Sequence, residues 1–391
     1  MKRILFLTFY FEPDLCAGSF RNSPLAKELA LQGKGDVEID VITTLPNRYN
    51  TFSVDALEKE TRDNLTIQRI KIPSHQSGMK DQIISFRKFY SETRRLVKNR
   101  KYDIVFASSS RLFTAYLGKK IAKSLGIPLY LDIRDIFYDT LEDVLENRVV
   151  KSISLPVVKR IEKETFDYAS HINLISGGFK RYFSQYKEKN YSFFPNGIDD
   201  IFIEASRGVE IQSENVTCRT IVYAGNLGEG QGLHKIVPQV AKAMEGSVNF
   251  IIIGDGGAKG KLLKELTRLE VKNVEVRQPV KRDELLRIYS QADYLFVHLN
   301  DYNAFKKVLP SKLFELGCFP QPIIAGVGGF AADFVGNNLE NSILFHPCNV
   351  DELVEKLSQY EYKRLIRSSF VERFKRDIVN REMAKTILNY I

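Results

Sequence analysis

Short apolar runs alternate with helical patterns twice along this chain of 391 residues. In the first half, seven runs are predicted as strands, at residues 3–10, 37–43, 65–72, 104–107, 129–133, 171–175 and 191–194. After a turn signal at Asn196-Gly197, six more follow, at 220–224, 248–253, 274–277, 294–298, 323–325 and 342–345. Such alternation is typical of parallel sheets covered by helices.

The pattern therefore predicts an α/β fold with two doubly wound domains. The polar stretch 205–218 lacks helical periodicity and is the predicted boundary, which gives domains at 1–204 and 205–375. Residues 360–391 are predicted as one or two basic helices, of which the part over 376–391 returns to the first domain.

Composition places the chain among globular proteins, with 44% hydrophobic and 27% charged residues. Apolar residues 4–11 resemble a signal peptide, but Glu12 and Asp14 interrupt the run, so a buried first strand is predicted. No apolar run approaches the length that spans a bilayer. The four cysteines are far apart, which favours reduced thiols and a cytoplasmic location over disulfides or zinc.

The net charge of +9 is concentrated in residues 71–101, which contain nine basic and two acidic residues. Apolar residues recur there at helical spacing beside the cations, namely Ile83, Phe86, Tyr90 and Val97. The segment is interpreted either as a solvated helix face or as a helix on the inner, anionic surface of the membrane. No nucleic-acid-binding module is recognisable, so nucleic acid is not an expected partner.

Candidate chemistry is concentrated in residues 304–329. Pro310 suits the first turn of a helix, where the amides of Ser311 and Lys312 would be free to bind phosphate. Glu315 follows about one turn later and could accept hydrogen bonds from the two hydroxyls of a ribose. This pattern predicts a nucleotide-sugar site, although an ordinary amphipathic helix with one solvated glutamate fits the segment equally well.

Loops after other predicted strands are also unusual. Gly18-Ser19, the glycine-rich loops 225–232 and 254–257, and the pair Arg134-Asp135 all follow strands, and ligands of doubly wound sheets bind at strand carboxyl ends. Glycine loops alone are weak signals, and neither a dinucleotide fingerprint nor a P-loop is present. Arg134 and Asp135 could equally form a surface ion pair.

Taken together, these segments resemble the retaining, nucleotide-sugar-dependent glycosyltransferases of family 4, and most closely the bacterial N-acetylfucosamine-type transferases of surface polysaccharides. The resemblance runs almost end to end. Its motifs are Gly18-Ser19, TTLPNRYN at 43–50, DIRD at 132–135, FPNGID at 194–199, YAGNLGEGQG at 223–232, IIGDG at 252–256, LPSKLFE at 309–315 and AGVGG at 325–329.

The resemblance implies the GT-B fold of two facing Rossmann-like domains, with an acceptor site in the first and a donor site in the second. It implies that Glu315 binds the donor ribose and that Ser311 and Lys312, joined by the turn at Gly18 and Ser19, bind the pyrophosphate. It also places Gly225, Asn226, Gln231 and Gly254 at the donor, which by analogy is a UDP-sugar. No metal or other cofactor is expected, since helix dipoles and cations neutralise the leaving diphosphate.

Three positions depart from the family pattern. Lys307 replaces the first glutamate of the paired-glutamate motif, and Asn226 and Gln231 replace the arginine and lysine that many relatives use against the diphosphate. Lys306, Lys307 and Lys312 could restore that charge. Arg134 stands where many relatives have histidine; a guanidinium cannot act as a base, so Asp135 is the better candidate to contact the acceptor or to stabilise an oxocarbenium-like sugar.

The sequence therefore predicts a hexosyl- or N-acetylhexosaminyl-type transferase that uses a glycan or lipid-linked acceptor, with Asp135, Arg134 and Lys307 as catalytic candidates. The alternatives are a sugar-nucleotide epimerase of the same fold, a non-catalytic nucleotide-sugar-binding or assembly subunit, and a surface-binding protein that uses residues 71–101.

Overall fold

The chain divides into two compact units, of which unit 1 comprises Met1–Gly197 with Asp377–Ile391 and unit 2 comprises Ile198–Arg376. The computed structural model describes residues 1–14, 16–46, 56–73, 79–109, 112–145, 147–210 and 217–391. The predicted motif over 43–50, the basic segment 71–101 and the boundary 205–218 each lie partly outside these ranges.

Each unit contains one sheet. The sheet of unit 1 has the order β3-β4-β2-β1-β5-β6-β7-β8, with the bounds Lys2–Leu7 (β1), Val37–Thr44 (β2), Lys59–Arg62 (β3), Leu65–Ile70 (β4), Ile104–Ser108 (β5), Leu129–Ile133 (β6), His171–Leu174 (β7) and Asn190–Ser192 (β8). The sheet of unit 2 has the order β11-β10-β9-β12-β13-β14, with the bounds Arg219–Ala224 (β9), Val248–Ile253 (β10), Val274–Arg277 (β11), Tyr294–His298 (β12), Ile323–Gly326 (β13) and Ser342–Phe345 (β14).

Every strand pair is parallel except β3 with β4. All the predicted strands are present, because buried parallel strands are continuous apolar runs. The prediction missed β3, whose sequence KETR is polar and mostly exposed at the edge of the sheet.

The α-helices are Ala17–Gln32 (α1), Met79–Val97 (α2), Leu112–Leu125 (α3), Phe137–Val144 (α4), Arg148–Tyr168 (α5), Lys180–Phe183 (α6), Asp200–Arg207 (α7), Val237–Ala243 (α8), Lys259–Arg268 (α9), Arg282–Gln291 (α10), Lys312–Gly317 (α11), Phe330–Asn338 (α12), Val350–Gln359 (α13), Ser368–Phe374 (α14) and Arg376–Leu388 (α15), and the last three follow the final strand. None of these helices is both long enough and apolar enough to cross a bilayer.

Helices cover both faces of the sheet in unit 1. On one face, Leu25 and Leu29 of α1 share a core with Met383 and Ile387 of α15. The other face carries α2, α3 and α5, with α3 in contact with both neighbours, as the right-handed crossovers between β4, β5, β6 and β7 require. The C-terminal helix is therefore part of the core of unit 1.

The division between the units lies before α7, ahead of the boundary predicted at residue 204. Phe202 and Ile203 of α7 are buried in the core of unit 2, and the amide of Ile198 donates to the carbonyl of Phe374. Asp199 forms ion pairs with Arg282 and Arg376. The polar segment after α7 predicted a loop between the domains. The helix α7 itself belongs to unit 2, because its apolar face is buried there.

The structure corrects the apolar stripe predicted for α2. Phe89 and Val97 are buried against unit 1, and the ring of Phe86 lies 5.4 Å from that of Phe113 in α3. Of the four residues in the predicted stripe, Val97 is thus a core residue and Phe86 packs against a neighbouring helix, while Ile83 is exposed. Most of the apolar face of α2 therefore packs against other elements of unit 1.

A buried ion pair joins the elements of unit 1. Nε and Nη2 of Arg21 in α1 each donate to an oxygen of Asp132 in β6 at 2.8 Å, and both side chains are at most 2% exposed. Arg21 also donates to the carbonyl oxygens of Phe194 and Pro195, and Asn173 donates to Asp132. Burial alone would raise the pKa of the Asp132 carboxyl, but Arg21 lowers it below its ordinary value.

We expect Asp132→Ala to destabilise unit 1 by roughly 3–5 kcal/mol, because it leaves a buried guanidinium without its counter-charge. Urea unfolding of the full chain followed by circular dichroism measures this. The control is Lys163→Ala, which breaks the exposed pair with Asp167 and should cost less than about 1 kcal/mol. Equal losses in the two variants would contradict the assignment.

Candidate functional site

The glycine loops of unit 2 begin at the carboxyl ends of β9 and β10. The amide of Gly225 donates to the carbonyl of Ile253 at 2.9 Å. A Cβ atom at position 254, where φ is +152°, would lie only 1.9 Å from the carbonyl oxygen of Gly225. The two loops therefore leave the sheet in direct backbone contact, which a side chain at position 254 would prevent.

Asn226 and Gln231 pair with each other in the first loop. Nδ2 of Asn226 donates to Oε1 of Gln231 at 2.8 Å, so the two positions where the resemblance leads us to expect an arginine and a lysine form a neutral amide pair. The carbonyl of Gln231 accepts a hydrogen bond from Nδ1 of His298, and Nε2 of His298 accepts one from the amide of Cys348. Burial lowers the pKa of His298 to about 4, so this ring holds the loop as a neutral group.

The predicted ribose and phosphate residues lie at the start of α11. Ser311 is the N-cap residue and its side chain makes no capping hydrogen bond. Nζ of Lys312 donates to Oε2 of Glu315 at 3.0 Å and to the hydroxyl of Tyr289 at 3.3 Å. Burial disfavours the ammonium ion, but Glu315 and Tyr289 outweigh it and raise the pKa of Lys312, which therefore stays charged.

Gly225 of the first loop lies close to Lys312 of α11. A Cβ atom at position 225 would lie 3.7 Å from Cε of Lys312 and 3.1 Å from the hydroxyl of Tyr223, and that hydroxyl donates to the carbonyl of Asn226. The structure thus brings Gly225, Gly254, Lys312 and Glu315 together at one edge of the sheet of unit 2.

Lys306 and Lys307 belong to a short 3₁₀ turn, Ala304–Lys307, that follows β12. Nζ of Lys306 lies 3.3 Å from a carboxylate oxygen of Asp301, and both side chains are exposed, so its service to the diphosphate stays a prediction. Gly329 after β13 has φ +57°, and a Cβ there would lie 2.2 Å from the carbonyl of Lys306. The close approach of Gly329 fixes the turn that carries Lys307.

In unit 1, Arg134 lies beside the first turn of α1. A Cβ atom at Gly18 would lie 3.2 Å from Nη1 of Arg134, while Ser19 is buried in the same turn. Nε and Nη1 of Arg134 are buried and have no hydrogen-bond partner in the described part of the chain. Burial and the neighbouring Arg21 lower the pKa of Arg134 to about 10. Asp135, the next residue, is exposed.

Glu162, which the sequence did not single out, holds the first turn of α4, which follows Arg134 and Asp135 in the chain. It is 1% exposed, its Oε1 accepts a hydrogen bond from the amide of Tyr138 at 3.1 Å, and its Oε2 accepts one from the hydroxyl of Tyr182. Burial raises the pKa of Glu162 to about 7, although these two hydrogen bonds act in the opposite direction.

Sequence reasoning also missed Tyr289 and Tyr223, which hold Lys312 and the first loop. Both belong to apolar patterns that predict only burial, and nothing in the sequence indicates where their hydroxyl groups point. Among the residues described, no group of three or more His, Cys, Asp or Glu side chains could hold a metal ion. Metal independence stays a prediction.

Most of unit 2 matches a known protein family. Residues 209–377, under half of the chain, match the family described as glycosyl transferases group 1. A protein of Escherichia coli (strain K12) named as a colanic acid biosynthesis glycosyl transferase, WcaI, is 29% identical over 133 residues, which covers 32% of this chain and 32% of that protein.

Solved structures resemble the chain over its whole length. Sucrose-phosphate synthase from Thermosynechococcus elongatus has a TM-score of 0.74 at 12% identity, with 100% of this chain and 99% of that chain covered. Anabaena HepE, solved in complex with UDP, has a TM-score of 0.67 at 16% identity, with both chains fully covered. The fold is therefore GT-B, as predicted, and the group 1 match contains every donor-site candidate of unit 2.

Glu162 predicts a specific pH dependence of stability. Because the pKa of this carboxyl is raised in the folded chain from 4.5 to about 7, its contribution is complete below the unfolded value and is lost as the pH rises towards 7. Glu162→Gln, which stays neutral, should gain roughly 3 kcal/mol relative to the wild-type protein between pH 4.5 and 8. Urea unfolding at several pH values measures this difference, and parallel stability curves would contradict the raised pKa.

Proposed function

We propose that this protein is a glycosyltransferase that transfers a sugar from a nucleoside-diphosphate sugar to a glycan or lipid-linked acceptor of bacterial surface polysaccharide synthesis, with retention at the anomeric carbon. The observation that carries the proposal is the assembly of Gly225, Gly254, Lys312 and Glu315 at the carboxyl edge of the sheet in unit 2, within the residues that match group 1 glycosyl transferases.

In this proposal, Glu315 accepts hydrogen bonds from the two ribose hydroxyls. It stands in the first turn of α11 with Oε2 already bound to Lys312, which leaves Oε1 as the acceptor. The amides of Ser311 and Lys312 precede the first helical hydrogen bonds of α11 and donate to the diphosphate. Close backbone approach at Gly225 and Gly254 leaves room for the ligand.

Positive charge against the leaving diphosphate comes from Lys312 and Lys307. The amide pair of Asn226 and Gln231 supplies none. Lys312 keeps its charge because its pKa is raised. A cation beside the leaving group stabilises the charge that develops as the glycosidic bond breaks, so we propose a transfer that requires no metal ion.

Unit 1 supplies the acceptor side. Arg134 cannot act as a base, and its two unpartnered nitrogens suit an anionic or polar group of a ligand. The negative charge of exposed Asp135 acts on the acceptor hydroxyl or on an oxocarbenium-like sugar. Glu162 positions both residues through the amide of Tyr138.

UDP is the proposed donor nucleotide, supported by the UDP complex of the structurally similar HepE. The likeness to WcaI supports a polysaccharide-type acceptor. We further propose that the protein acts in the cytoplasm at the inner face of the membrane, where the cations of α2, such as Arg87, Arg94 and Arg95, attract anionic lipid.

Glu315→Ala should weaken UDP binding by roughly 1.5–3 kcal/mol, about ten- to a hundredfold, through the loss of a charge-assisted hydrogen bond to the ribose. Binding of inorganic pyrophosphate should weaken less than binding of UDP, because pyrophosphate has no ribose for Glu315 to bind. Isothermal calorimetry with the two ligands separates these effects.

Glu284→Ala is the matched control for that measurement, since it removes an exposed carboxylate from α10 of the same unit and should leave both affinities unchanged. An unchanged UDP affinity in folded Glu315→Ala protein would remove Glu315 from the site.

Asp135→Asn should lower turnover by roughly a hundredfold or more while UDP-sugar affinity stays at the wild-type value, because the lost charge acts only in the chemical step. Release of UDP from UDP-sugars with lipid-linked acceptors measures turnover, and mass spectrometry identifies the product. Asp167→Asn, an exposed change on α5, is the control.

The product distinguishes the competing functions. A new glycosidic bond supports the transferase. An altered sugar nucleotide with no acceptor consumed would indicate an epimerase, and nucleotide-sugar binding without any turnover would indicate a non-catalytic subunit. Wild-type turnover in Asp135→Asn would exclude this carboxylate from the reaction.

A further inference from the structure

The guanidinium of Arg134 has donors that the fold of unit 1 leaves unsatisfied. The residue as a whole is half-buried, but its Nε and Nη1 atoms are inaccessible to solvent and have no hydrogen-bond partner in the described part of the chain. Burial and the neighbouring Arg21 lower the pKa of Arg134 to about 10, which still leaves the group charged at neutral pH. The carboxylate of Asp135 acts on it only from an exposed position, where water screens the charge.

The buried carboxylate that stands two positions earlier, Asp132, is already committed to another cation. Its two oxygens accept hydrogen bonds from Arg21 at 2.8 Å, and Asn173 donates to one of them. Two guanidinium groups therefore share one buried carboxylate. The thiol of Cys16 also lies within electrostatic range of Arg134, but it stays neutral because burial raises its pKa. The surroundings of Arg134 thus retain a net positive charge.

The first turn of α1 lies against this guanidinium. A Cβ atom at Gly18 would lie 3.2 Å from Nη1 of Arg134, so the lack of a side chain at position 18 leaves room between the turn and the cation. The helix has 16 residues and no acidic residue in its first turn, and its N-cap residue Cys16 makes no side-chain capping hydrogen bond. Uncapped amides and the positive end of a long helix therefore adjoin a charge that is already unneutralised.

This arrangement costs folding free energy. A desolvated guanidinium with unsatisfied donors is unfavourable, and the nearby cation of Arg21 adds repulsion, as the lowered pKa of Arg134 reflects. The structural ion pair of unit 1 is complete without Arg134, because Arg21 and Asp132 satisfy each other. A bound anion would satisfy the free donors and offset the repulsion at once.

We propose that Arg134 and the first turn of α1 form an oxyanion site in unit 1, where a phosphate-type group accepts hydrogen bonds from the guanidinium and from the amides at the start of the helix. The assignment rests on the proposed function and deepens it, since that reaction offers two sources of such a group. One is the diphosphate of the donor, and the other is an anionic group on the acceptor.

Isothermal calorimetry on the full chain, with UDP and with inorganic pyrophosphate as probes, tests the proposal and distinguishes the two sources. If the anion is the donor diphosphate, Arg134→Gln should weaken UDP and pyrophosphate binding by the same factor, tenfold or more. If the anion belongs to the acceptor, UDP affinity should not change. Pyrophosphate should then still bind to the UDP-saturated wild-type protein, and tenfold or more weakly to UDP-saturated Arg134→Gln.

Two further variants make the result specific. Gly18→Ala keeps the guanidinium but places a methyl group 3.2 Å from Nη1, and it should weaken the same binding step as Arg134→Gln. Arg160→Gln is the control, because it removes a guanidinium whose side chain is 83% exposed on α5, and it should leave both affinities unchanged.

Stability without ligand separates a binding role from a structural one. Arg134→Gln should resist urea at least as well as the wild-type protein, because it removes a desolvated charge beside Arg21, and a clear loss of stability would overturn the proposal. It would also be overturned if Arg134→Gln left UDP affinity unchanged and UDP-saturated wild-type protein bound no pyrophosphate, or bound it no better than the variant. A wild-type protein that binds no UDP would contradict the proposed function instead, while pyrophosphate would still report on Arg134.

Discussion

The candidate donor site depends on one steric constraint, the backbone contact between the ends of β9 and β10. A Cβ atom at Gly254 would lie 1.9 Å from the carbonyl of Gly225, so this arrangement exists only with glycine at position 254. The contact directs the first loop towards α11, so that Gly225 lies beside Lys312. From there, Tyr289 and Glu315 hold Lys312 as a charged group. Glycine at the strand ends thus positions charge on the neighbouring helix.

The two units position their charged side chains by different means. In unit 1, Arg21 and Asp132 are fully buried and bidentate, and they hold α1 against β6, the strand that leads to Arg134 and Asp135. In unit 2, the corresponding edge is shaped by backbone contacts and by the neutral ring of His298. A buried ion pair is costly to form but also costly to break, which makes it suited to fixing a single arrangement of elements around a functional loop.

Much of the fold could be predicted from the sequence because buried parallel strands are apolar along their whole length. The polar edge strand β3 carries no such signal, and the unit to which α7 belongs depends on contacts of Phe202 and Ile203 that are distant in sequence. At the candidate site, the sequence alone identifies the glycines at the strand ends and the carboxylate of Glu315 as candidates, because the residue type carries the signal. The pairings were not, because Asn226 with Gln231 and Lys312 with Tyr289 depend on side-chain directions that only the packed structure defines.

The central claim is that the carboxyl edge of unit 2 binds a nucleotide sugar, and hydrogen exchange measured by mass spectrometry with and without UDP tests it most directly. Ligand binding slows exchange where backbone amides become ordered or covered. The account predicts added protection at residues 225–232, 254–257 and 309–315, with the opposite edge of the same sheet unchanged. Absence of protection in all three segments at saturating UDP, or protection confined to other parts of the chain, would contradict it.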